Sequence, residues 1–247
     1  MDQLASLRKA RAREFLLELR PHVERSFPSK CRVLGEERLW LAMEFGVERA
    51  AAHGIDGGHA VARFFGLMVF FGSRFDSDTL LPWAEEILSR SELAGEVRID
   101  RLYARGRPEL AAMAGEQGGR YKRALARARA VPFERYPCRA AEARDHAEAL
   151  VHEVFPQRLT RLPDGGLKRL VDRAQEIAQH HRLDPGAGTV LAAVLVALLG
   201  SGFPDDPLHP WAAEALRESE HDVLARTKRL HDAALAALRA YLEAEEG

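Results

Sequence analysis

The sequence matches itself. Shifted by 128 positions and without a gap, GSRFDSDTLLPWAEEIL, from Gly72 to Leu88, lies over GSGFPDDPLHPWAAEAL, from Gly200 to Leu216. The register holds backward through His53 and His181, and Asp56 and Asp184, to Phe27-Pro28 and Phe155-Pro156. It holds forward through Arg98 and Arg226, Arg101 and Arg229, and Leu102 and Leu230. Identity over residues 22–114 is about 30%, and a register kept over such a length without insertion is the mark of a repeated structural unit. The expectation is a tandem duplication: repeat 1 at residues 1–114, a basic linker at 115–137 and repeat 2 at 138–247.

What the unit is made of follows from composition. Hydrophobic residues are 47% and charged residues 30% of the 247, which is globular rather than disordered. Ala, Leu, Arg and Glu dominate and favour helix, so an all-α fold with about five helices per copy is expected. The first helix spans Leu4 to Arg20 and its counterpart Ala140 to Val154; the second spans Glu36 to His53 and its counterpart Gly166 to His181. The third is marked at both ends. Asp56 and Asp184 stand where an N-cap is wanted, Pro185 follows, and Gly72 and Gly200 stand where a positive φ closes a helix.

Between those marks, Ala60 to Phe71 carries one charge, Arg63, and Val190 to Leu199 carries none. Helices apolar nearly all round must be central. Packing one against the other across a pseudo-twofold axis would cover both and give one fused domain. The run from Thr189 to Leu199 is too short for a membrane span of about 20 residues.

Net charge is -1, which removes the electrostatic case for nucleic acid or an anionic membrane. In the linker, Arg120, Lys122, Arg123, Arg127 and Arg129 could form a cationic strip on a short helix; a solvated connector is the favoured reading, since no aromatic platform accompanies it. Cys31 and Cys138 are not equivalent in the two copies and are expected reduced. The charged opening MDQLASLRKARAREF predicts no secretory signal, and a cytoplasmic location is expected.

The most specific element is the repeated turn and helix start. Asp78 and Asp206 can accept from exposed backbone N–H groups, Pro82 and Pro210 preset φ for the next helix, and Trp83 and Trp211 offer area to pack. Phe75, Asp78, Trp83, Phe203, Asp206 and Trp211 are the candidate partner-binding residues, with shared packing the favoured explanation. Asp76, Asp78, Asp205 and Asp206 crowd their loops but lack the calcium-loop pattern. His53, His180 and His181 follow helix ends and are read as capping. No CxxC, HExxH, GxSxG, phosphate loop or GxGxxG occurs, so no catalytic residue, metal site or cofactor is expected.

The pattern FGxxFDxDxxLPWAxxIL, met by Phe71 to Leu88 and more loosely by Leu199 to Leu216, resembles a group of bacterial helical proteins of unassigned function associated with type VI secretion clusters, near spike and toxin genes. The second copy departs from it, with Pro204 in place of the first acid and His209 in place of the second leucine. The resemblance implies a non-catalytic accessory protein with a protein partner, a secreted effector or spike component: an adaptor or chaperone that loads a toxin, or alternatively an immunity protein that blocks one. The rival from another class is an enzyme with an unfamiliar helical site, which a deep chamber lined by convergent polar groups would favour.

Overall fold

The computed structural model describes residues 2–217 and 222–244, with side chains from residue 14 onward. Among the described residues every regular element is helical and no strand occurs. The α-helices are α1 (Asp2–Ser26), α2 (Pro28–Ala52), α3 (Gly58–Phe71), α4 (Pro82–Leu88), α5 (Gly95–Ala114), α6 (Gly119–Ala130), α7 (Ala143–Val154), α8 (Pro156–Leu159), α9 (Gly166–His180), α10 (Ala187–Leu199), α11 (Pro210–Arg217) and α12 (Val223–Ala244). Short 3-10 turns at Phe75–Ser77 and Phe203–Asp205 follow α3 and α10. No helix among the described residues is long and apolar enough to cross a membrane.

The helix starts follow from the sequence. Pro28 and Pro82 stand in the first turns of α2 and α4, where a missing N–H costs nothing and φ is already set. α2 begins earlier than its apolar spacing suggests and bends at Gly35, whose φ of 71 leaves the helical region. The two acids expected to cap behave differently. Asp184 Oδ1 accepts from the N–H groups of Gly186 (2.9 Å) and Ala187 (2.7 Å) ahead of α10. Asp56 is exposed, and α3 starts from Gly57 with no side-chain cap, so that half of the expectation is corrected.

Burial follows the apolar pattern. Every residue of α10 is buried, as its uncharged run demands. On α9 the buried residues Leu170, Val171, Ala174, Ile177 and Ala178 recur at helical spacing and face α10. α10 is wrapped by α9, α7, α12 and α6, while α3 is wrapped by α1, α2 and α5. Both sets share one continuous core.

Two expectations change here. α3 and α10 do not lie side by side: each is sheathed by its own neighbours, and the two meet at their C-terminal ends. The segment 115–137 is not a solvated connector. Its helix α6 buries Ala124, Leu125 and Ala128 and packs on α5, α7, α10 and α12, which leaves Arg120, Arg123, Arg127 and Arg129 on its outer side.

Candidate functional site

The meeting of α3 and α10 is a backbone contact. Gly72 (φ 97, ψ 152) and Gly200 (φ 95, ψ 162) close the two helices in a region that side chains rarely enter. A Cβ on Gly72 would lie 2.8 Å from the Leu199 carbonyl oxygen, and one on Gly200 would lie 2.6 Å from that of Phe71. Glycine is therefore required twice over at each position, by conformation and by proximity.

Two aspartates clamp this contact. Asp78 Oδ1 accepts from Leu80 N–H (2.8 Å), and Asp206 Oδ1 from Leu208 N–H (2.7 Å), closing tight local turns. Their second oxygens reach across: Asp206 Oδ2 accepts from Ser73 N–H (2.9 Å) and Asp78 Oδ2 from Ser201 N–H (3.2 Å). Sequence reasoning foresaw the local bonds and missed the crossed ones. Desolvation raises the Asp206 carboxyl above its usual range, against the lowering effect of its backbone hydrogen bonds. Asp206→Asn turns one acceptor oxygen into an NH2 facing a buried N–H, and is expected to cost about 1–3 kcal/mol in urea unfolding. An unchanged midpoint would show that the crossed bond carries no stability.

The sequence candidates lie around this clamp, and five of the six are buried. Phe75 and Phe203 are enclosed, Phe75 against Phe64 at 4.9 Å between centroids. Trp83 stacks edge-on to Phe71 and donates from Nε1 to Glu109 Oε2 (3.2 Å). Trp211 is partly exposed and donates to Tyr241 Oη (3.0 Å). In this arrangement Phe75, Asp78, Trp83, Phe203 and Asp206 present no face to a partner; they are consumed by packing and by the clamp.

Asp76 has a different task. Its side chain is enclosed, and Oδ2 is held by Arg49 Nη2 (2.6 Å) and His53 Nε2 (2.7 Å), so the His53 ring serves an acid rather than a helix end. Desolvation is the largest single influence on its pKa and raises it, but the hydrogen bonds and charges of His53 and Arg49 together outweigh it and draw the pKa below the usual carboxylate value. Asp205 is exposed, and the loop acids do not converge; among the described residues no grouping of His, Cys, Asp and Glu could hold a metal ion. Cys31 and Cys138 are free thiols.

Beside the clamp lies a chamber of about 490 Å³, within the range typical of small-molecule sites. Its walls are largely apolar and come from both ends of the chain: Phe27 and Phe155, Phe71 and Leu199, Gly72 and Gly200, each pair 128 positions apart. α6 adds Tyr121, whose hydroxyl donates to the Leu198 carbonyl (3.1 Å), and Leu125. A shallower depression lined by Leu67, Tyr103 and Arg107 shares Phe70, Leu110 and Ala114 with the chamber and extends it toward the surface, where Phe70 is 49% exposed.

Its charged groups are all cationic: Lys30, Lys122 and Arg158. Lys30, in the first turn of α2, and Arg158, in α8, again stand 128 apart. The Lys30 ammonium sits 4.7 Å from the Tyr241 ring centroid, and desolvation pushes it down to about 8 against a weaker upward pull from Asp206. Arg158 is 5% exposed; its Nε has no hydrogen-bond partner, and Nη1 reaches only the Met113 sulfur (3.4 Å). Burial lowers its pKa too, against Asp78 and Glu109. Among the described residues, neither Lys30 nor Arg158 has a carboxylate within ion-pair distance.

Tyr241 Oη accepts from Trp211 and lies 2.8 Å from His209 Nδ1, within hydrogen-bond distance. Burial, followed by the nearby Lys30 charge, drives His209 well below its usual pKa, which keeps the ring neutral. The sequence signal for this site was the matched Lys30 and Arg158, each two residues after a repeated Phe-Pro. Periodicity alone gives no indication that either faces a chamber. Comparison of the chain with protein-family models, with curated proteins and with solved structures found no match.

Proposed function

We propose that the chain is a tandem duplication whose halves close on one another about an approximate twofold axis, and that it is a binding protein for an apolar small molecule held in the chamber at their junction. The observation that carries this is the chamber wall itself, built from residue pairs at the repeat spacing. The reciprocal bonds of Asp78 and Asp206, and the pairing of α2 with α12 and of α8 with α5, support the axis. Natural interiors are close-packed, so a cavity of this size between well-packed helices calls for an occupant. We assign it no reaction.

The adaptor or chaperone reading in type VI secretion rests on the motif resemblance, and one observation favours keeping it as the second reading. Phe70 and the depression beside it offer an exposed apolar entry beside the chamber, suited to a side chain of a protein partner.

The test is saturable binding of Nile red, a neutral apolar dye, to the native protein at one site per chain. Ala197 lines the chamber, and Ala197→Phe should fill it and abolish binding while the melting temperature stays within a few degrees. Dye binding that is absent, or unchanged in a folded Ala197→Phe, would overturn the small-molecule reading and leave the adaptor.

A further inference from the structure

Three cations line the chamber, Lys30, Lys122 and Arg158, and two of them, Lys30 and Arg158, have no ion-paired acid among the described residues, an arrangement that a folded protein bears at a cost unless something compensates it. Arg158 is the sharper case, enclosed with an orphaned Nε and a sulfur as its one acceptor. Lys30 lies against the face of Tyr241 without a hydrogen bond or ion pair. The nearby acids are already engaged. Both oxygens of Asp206 and both of Asp78 accept backbone N–H groups, and Glu109 is divided between Trp83 and Arg105.

We propose that the occupant is an amphipathic monoanion, a carboxylic acid on a single apolar chain, with its head group on Arg158, Lys30 adding positive charge to the same lining, and its tail along the aromatic and aliphatic wall toward Phe70. This rests on the chamber reading above and adds the ligand's chemical class. The planar guanidinium suits a carboxylate, offering paired donors where a lysine alone offers a point charge. A singly charged head is matched better than a doubly charged one, because Asp206, Asp78 and Glu109 lie near enough to offset part of the two positive charges. The shared lining of the chamber and the depression at Phe70, Leu110 and Ala114 gives the tail a continuous apolar path outward.

The experiment is displacement of Nile red by dodecanoic acid, dodecanol and dodecylamine, three ligands alike except for the head. The acid should compete about 10-fold or more better than the alcohol, the scale of one charge-assisted hydrogen bond gained in a desolvated site. The amine should compete least. In Arg158→Met the acid's advantage should vanish while the alcohol still binds, and Arg158→Lys should restore part of it. Without ligand, Arg158→Met should melt no lower than the native chain, because it removes a charge that nothing pairs. Lys30→Met gives the same reading from the other side should Arg158→Met fail to fold. Alcohol competing as well as acid, or a preference that survives loss of both Lys30 and Arg158, overturns the proposal and leaves the chamber reading standing. Failure of Nile red and all three ligands to bind overturns both.

Discussion

Leu195→Asp is expected to leave the chain without a cooperative fold. Leu195 is 1% exposed in the middle of α10, where every neighbour along the helix is also buried. A carboxylate there has no water and no cation, and the wrapping by α7, α9, α12 and α6 leaves it no path to the surface. An unpaired buried charge, together with the lost leucine packing, costs more than about 4–5 kcal/mol, comparable with the whole stability of an ordinary domain. Leu41→Asp is the control: Leu41 is 54% exposed, and its replacement should move stability by no more than about 0.5 kcal/mol. Circular dichroism melts decide it. A native-like transition in Leu195→Asp would mean that α10 is not the centre of the core.

Gly200→Ala is expected to weaken the fold by about 3 kcal/mol, a fall in melting temperature of about 6–12 °C for a chain of this size. Two effects combine. The alanine would be forced into a backbone region costing about 1–3 kcal/mol, and its Cβ would stand 2.6 Å from the Phe71 oxygen, so the ends of α3 and α10 would have to part. Gly35→Ala separates the two. Gly35 has a similar conformation, φ 71 and ψ 173, but nothing lies within 4 Å of its added carbon, so it reports conformational strain alone. If Gly200→Ala costs no more than Gly35→Ala, the contact between the helix ends is soft and the junction is not where the halves are held.

The repeat and the apolar runs made the helical class readable before any coordinates. Gly72 and Gly200, and the prolines opening α2 and α4, also announced themselves, because each needs a local backbone state that few residues satisfy. What could not be read was who meets whom. Asp78 and Asp206 look like local caps, and they are; their second oxygens act across 123 and 133 residues of separation, which no spacing rule reaches. The same limit produced the expectation that α3 and α10 lie flank to flank. Apolar surface all round demands cover without specifying which helix supplies it, and the amphipathic neighbours of each helix supplied it first.

The basic segment failed for another reason. Arg and Lys on one side of α6 drew notice, while Ala124, Leu125 and Ala128 on the other are small and form a weak apolar stripe, yet that stripe is what docks. Asp76 was weighed with the loop acids because its partners, Arg49 and His53, lie on a different helix. Lys30 and Arg158 escaped because each is ordinary where it stands in the sequence; enclosure by distant helices makes them unusual.

On the duplication proposed above, the segment 115–137 is the connector between two modules, and it does not remain outside. α6 places Tyr121 and Leu125 on one side of the chamber wall. A chamber between two separate, identical chains would be the same seen from either end, and a guest could enter head first in two equivalent ways. Here the strap, a lysine where the second half has an arginine, and His209 where the first half has Leu81 remove that equivalence. On the proposed duplication, fusion gives the space a front and a back, and the proposed guest, having no symmetry of its own, a single orientation in which to settle.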